Sequence, residues 1–171
     1  MRSVSIKEGD DAKTLIGESI SKAAQLDSQS DKAFVAVLTL AFMSVAFFGI
    51  LNHEMWRDEL QAWLIARDSS SISNLFYNVR YERHPALWHL CLYFLNLFTR
   101  SPIAMQLFQL VIASATVFLV AKFSPFTKFQ KALFAFGYFP FYEYGIISRN
   151  YALGVLLVFS CCVLLLSLIH I

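Results

Sequence analysis

An all-α, polytopic membrane protein, with about four transmembrane helices and amphipathic interfacial helices in its first outer loop, is the fold class this sequence predicts. Three observations predict it. The chain is 57% hydrophobic and only 15% charged, an apolar share above that of soluble domains. Residues 33–51 and 103–121 are uncharged stretches of nineteen residues, each long enough to span a hydrocarbon core. All seven lysines lie in the first 32 residues or between 122 and 131.

Residues 1–32 mix lysines with aspartates and glutamates and read as a soluble tail. The stretch 33–51 has no short basic run before it and no small-x-small cleavage site after it. It reads as a retained anchor, not a cleaved leader. The polar loop 52–84 follows. In it Trp56, Leu60, Trp63 and Leu64 share one helical face, with Asp58 and Ala62 on the other. After Ser69-Ser70-Ser71, the residues Ile72, Leu75, Phe76 and Val79 repeat the spacing. Both are expected to be short helices lying in the membrane interface, with tryptophans at headgroup depth.

The apolar run Pro85–Phe98 has fourteen residues, which suits an interfacial or re-entrant helix better than a crossing. Residues 103–121 form the next span and 122–131 a basic loop. Residues 132–148 form a further span, interrupted by Pro140 and Glu143. An apolar stretch from Ala152 to about Leu165 ends the membrane domain, 33–165. The last six residues, Leu166-Ser167-Leu168-Ile169-His170-Ile171, are the translation of a transposase adapter end used in DNA library preparation. Residues 166–171 are therefore expected to be adapter-derived, and the chain to be the N-terminal part of a longer protein.

Lysine placement sets the expected topology. The positive-inside rule puts the tail and the basic loop in the cytoplasm. Two crossings, 33–51 and 103–121, then separate them, and 85–98 does not cross. Asp58, Glu59, Glu82, His84 and Arg149 come to one outer face of a multi-pass protein of the cytoplasmic membrane. A crossing by 85–98 moves Arg149 to the other side. The net charge of +2 leaves no basic footprint for nucleic acid, and none is expected as a partner. Cys91, Cys161 and Cys162 sit in apolar runs and read as small buried hydrophobes without a disulfide framework.

The chemistry concentrates in three places. In Met55-Trp56-Arg57-Asp58-Glu59, two carboxylates stand at a membrane surface, where they suit a general base or a metal ligand. The alternative is the solvated face of a surface helix. In Tyr81-Glu82-Arg83-His84-Pro85, the proline favours a helix start. That places His84 where free N–H groups attract an anion such as phosphate, or leaves it as plain flanking charge. Glu143 is a carboxylate inside an apolar span. Arg149, six residues on, pairs with it, binds a lipid phosphate or snorkels to the interface. The spacing of His53, Glu54, Asp58, His84 and His89 matches no standard metal-ligand motif.

The order of these elements resembles the GT-C superfamily of membrane glycosyltransferases, closest to its protein mannosyltransferase and aminoarabinose transferase branch (family 39-like). The likeness rests on a span, Trp56-x-Asp58-Glu59, His84-Pro85-x-Leu87, a second span, a basic loop and Ser148-Arg149-x-Tyr151-Ala152-Leu153. The resemblance implies inverting transfer of a sugar from a polyprenyl-phosphate donor to an acceptor outside the membrane. Asp58 is then the base, with Glu59 beside it. Glu82, Arg83, His84, Glu143, Arg149 and Tyr151 are the expected substrate-binding residues. A divalent metal ion, with Asp58 as ligand, stays open as a cofactor. The sequence departs from the family at His84-Pro85-Ala86, where His-Pro-Pro is common, and at Gly154, where an acid is common. The fragment is expected to be inactive alone. Two other readings remain: part of a transporter or flippase, and a small structural membrane protein.

Overall fold

The computed structural model describes residues 29–82 and 85–169. The tail 1–28, Arg83, His84 and residues 170–171 lie outside the described residues, so the expectations placed on them do too. Leu38–Ile171 forms one compact unit. Every described secondary-structure element is helical. Helix α1 (Gln29–Leu51) begins four residues before the expected span. It is followed by α2 (Arg57–Asp68), α3 (Ile72–Val79), α4 (Ala86–Asn96), α5 (Ile103–Phe123), α6 (Lys128–Ala135), a π-helical segment (Phe139–Ile146) and α7 (Asn150–Ile169). Among the described residues, α1, α5 and α7 are each long and apolar enough to cross a membrane. Residues 166–169 continue α7 without a break.

Helix α5 is the hub, packed against α7 on one side and the π-helical segment on another. More than half of its residues are buried, whereas few of those in α7 are. Helices α2, α3 and α4 pack on one another near the start of α5. Trp63, Leu75, Trp88 and Leu92 from these three join Met105 and Ile112 of α5 and Ala152 of α7 in one core. Leu75 and Leu92 are fully buried, each contributing roughly 1.5–3 kcal/mol.

This packing changes which face of α2 turns inward. Its inward line is Glu59, Trp63 and Ala66, all buried, while Trp56 and Leu64 stay exposed. Trp63 and Trp88 are core side chains, 1% and 2% exposed. In α3, Leu75 and Val79 are buried and Ile72 and Phe76 exposed. The run 85–98 forms the eleven-residue α4, too short to cross.

Residues 132–148 are not one helix. Thr127 starts α6 with a reciprocal cap: its Oγ1 accepts from Gln130 N–H at 3.3 Å and Gln130 Oε1 accepts from its N–H at 3.0 Å. The helix ends ahead of Gly137. Pro140 supplies no N–H, so the regular ladder cannot pass through it. The chain widens instead into the π-helical segment, closed by Ile147 N–H on Tyr142 O at 3.1 Å, five residues back. This broken stretch climbs back along α5. At one end Lys131 Nζ donates to Ala121 O at 2.8 Å. At the other, Gln109 Nε2 donates to Tyr144 O at 2.8 Å and Ile147 O at 2.9 Å. Ala121 and Gln109 are about 18 Å apart along the helix axis. The bundle therefore has a lysine end and, opposite, an end that carries Ser148 and Arg149. The cysteines also depart from expectation: Cys161 and Cys162 are exposed on α7, and only Cys91 is partly buried. Burial pushes the Cys91 thiol up, which keeps it inert.

Candidate functional site

The loop 52–56 delivers the chain from α1 into α2 with Asp58 and Glu59 in the first turn. Neighbours on a helix point about 100° apart, so the two carboxylates take different surroundings. Asp58 turns outward, its side chain 70% exposed; Glu59 turns inward, its side chain 0% exposed.

Glu59 is fully engaged. Its Oε2 accepts from Trp56 N–H at 2.8 Å and from His53 Nε2 at 2.9 Å. Its Oε1 accepts from Ser148 N–H at 2.7 Å, a bond across 89 residues. The Trp56 bond closes the first turn of α2. The Ser148 bond fixes the link between the π-helical segment and α7, where Arg149 N–H also turns back to Ile147 O at 3.0 Å. Glu59 is thus a tie between three segments, not a group open to a substrate. This corrects its expected catalytic place beside Asp58.

That tie sets Arg149 against Asp58. Arg149 Nη2 donates to Asp58 Oδ2 at 2.7 Å, and its guanidinium lies 5.6 Å over the Trp56 ring. Arg149 accordingly pairs with Asp58 and not with Glu143. The pair stands on the wall of a cavity of about 340 Å³, walled also by Gln61, Glu82, Trp88, His89, Ser148, Asn150 and Tyr151. Gln61 Nε2 donates to Glu82 Oε1 at 2.9 Å across the gap between α2 and the end of α3. Among the described residues, the buried Trp88 Nε1, Ser148 Oγ and Arg149 Nε of the wall have no hydrogen-bond partner.

Of the residues singled out in the sequence, the cavity brings together Asp58, Glu82, Arg149 and Tyr151. Glu59 lies behind it. Glu143 is elsewhere, in the π-helical segment, where Tyr138 O–H donates to its Oε1 at 3.1 Å. Gln61, Trp88 and Ser148 were missed as site residues. Gln61 had a signal, since position i+3 from Asp58 shares its helical face. Ser148 stood in the quoted motif without a role of its own, because it acts at Glu59 through its backbone N–H. Among the described residues no three His, Cys, Asp or Glu side chains converge as a metal cage. Asp58 meets a guanidinium instead, a poor neighbour for a cation, so the described donor set does not fit a divalent ion. No protein-family model, curated protein or solved structure matches the chain.

Proposed function

We propose that the cavity is the donor side of a glycosyltransferase, moving a sugar from a polyprenyl phosphate to an acceptor hydroxyl with inversion. The observation that carries this reading is the Asp58–Arg149 pair, 91 residues apart in sequence and 2.7 Å apart on the wall of one cavity. An exposed carboxylate beside a half-buried guanidinium supplies the two charges that such a transfer needs. Asp58 takes the proton of the acceptor hydroxyl. The hydroxyl oxygen attacks the anomeric carbon from the face opposite the phosphate. The bond from that carbon to the phosphate oxygen breaks, and the polyprenyl phosphate leaves with the electron pair. Arg149 keeps Nη1 outside its bond to Asp58, and Nη1 can hold a departing phosphate oxygen.

On the positive-inside rule the lysine end faces the cytoplasm and the Asp58–Arg149 end faces outward, in the cytoplasmic membrane. A family 39-like GT-C enzyme is the family reading that goes with this site. A transporter is the second reading, favoured by one observation: Pro140 breaks the 132–148 stretch beside the intramembrane Glu143.

The test offers labelled polyprenyl-phosphate hexoses and pentoses to membranes that hold the protein. Release of label from lipid, with inverted anomeric configuration in the product, is the expected result. Label that crosses the membrane still attached to its lipid supports the transporter. Donor neither bound by the chain nor cleaved, across the panel, overturns sugar transfer.

A further inference from the structure

We propose that the polar cavity between the last turns of α2 and α4 seats the phosphate of one membrane phospholipid, held by Arg67 and Arg100. This inference does not depend on the sugar-transfer reading.

The cavity has a volume of about 230 Å³, and Arg67, Asp68, Leu97 and Arg100 stand in its wall. Its depth follows from α5. That helix has 21 residues, so it runs for about 31 Å, close to the thickness of a bilayer's hydrocarbon core. A crossing by α5 therefore puts Arg100, three residues before Ile103, at the level of the lipid phosphates. Down α5 from there, Ile103, Leu107 and Val111 follow one another a turn apart and are all exposed. Leu97 and its neighbour Phe98 are exposed as well. A lipid whose acyl chains lie along this apolar line carries its phosphate at the height of the cavity.

The fold holds both guanidiniums in place. Arg67 Nε and Nη2 donate to Asp68 Oδ1 and Oδ2 at 2.7 and 3.2 Å, which leaves Nη1 for another acceptor. Arg100 Nη1 donates to Arg67 O at 3.1 Å, across 33 residues, which leaves Nε and Nη2. Arg67 by its hydrogen bond, and Arg100 by its charge, hold the Asp68 carboxyl below its usual range. Two cations thus act on one carboxylate. Among the described wall residues these three are the charged ones, so the wall carries one more positive charge than negative. A phosphodiester, with one negative charge and two free oxygens, complements that set. Guanidinium forks pinned by other bonds suit such oxygens, because little side-chain freedom is lost when they bind.

The test titrates the whole chain, in uncharged maltoside micelles, with dioleoyl phosphatidylglycerol and measures the bound lipid by native mass spectrometry. Phosphatidylglycerol is expected to bind, and dioleoylglycerol, which lacks the phosphate, is not. Arg67→Gln combined with Arg100→Gln is expected to weaken binding about 25-fold, roughly fivefold for each arginine. Asp68→Asn releases the Arg67 fork and is expected to strengthen binding by a similar single factor, a gain that damage to the fold would not give. Lys122→Gln, at the other end of α5, is expected to leave binding unchanged. Equal binding of the two lipids, or binding unchanged in the double glutamine variant, overturns the proposal. So does weaker binding in Asp68→Asn, or binding lost in Lys122→Gln. Displacement of the lipid by millimolar glycerol phosphate overturns the lipid as ligand, since the site then takes soluble phosphoesters.

Discussion

The two ends of α5 use polar groups in opposite ways. At the Asp58–Arg149 end, buried groups are tied to one another: Gln109 bonds two carbonyls and Glu59 bonds three segments. At the lysine end, Lys131 ties α6 to α5 through Ala121 O, and exposed aromatic rings lie around it. Fixed geometry of the first kind suits a reaction that needs charges held in place. Within the first end the same contrast recurs between neighbours, for Asp58 faces the cavity and Glu59 the scaffold.

The sharpest way to break the comparison is to separate Asp58 from Glu59. Asp58→Asn is expected to lower the rate of label release about 10²–10⁴-fold, the share of a general base. The melting temperature is expected to stay put, because an exposed ion pair stabilises little. Glu59→Leu should do the reverse in kind. It leaves the Trp56 and Ser148 N–H groups buried without acceptors, at a cost of roughly 1–3 kcal/mol each. A lower melting temperature in nanodiscs, with activity lost along with it, is the expected readout. Unchanged melting in Glu59→Leu contradicts the tie.

Much of the fold was legible in the sequence, and the reasons for the exceptions are physical. Charge-free runs marked α1, α5 and α7, because length and hydropathy alone decide a crossing. In α2, Trp63 fits two lines, with Trp56 and Leu60 or with Glu59 and Ala66. Hydrophobic spacing favours the first. The second wins because the partner that satisfies Glu59 is Ser148, whose N–H no side-chain pattern reveals. Residues 132–148 read as a span by hydropathy, yet Gly137 and Pro140 break it. Asp58, Glu82, Arg149 and Tyr151 converge because the broken segment returns the chain to the start of α5. Glu143 was read at the break, but its Tyr138 partner was not legible, since a π-helical turn shifts every later residue around the axis.

Smaller effects sharpen the contrast. Arg149→Lys keeps the charge but loses the planar fork. It is expected to slow label release about tenfold, with donor binding weakened more than melting. The exposed Arg67–Asp68 pair at the far end of α2 is the control. Arg67 holds the Asp68 carboxyl below the usual range through a hydrogen bond at 2.7 Å. A lowered pKa in the folded state gives stability above the unfolded value that is lost as pH falls through the folded one. Full exposure screens it, so Asp68→Asn is expected to leave melting unchanged at neutral pH.

The most direct test is label release by Asp58→Asn beside wild type, in nanodiscs in which both melt at the same temperature. The account predicts a loss of at least about 100-fold. A mutant that melts normally and releases label at the wild-type rate contradicts it.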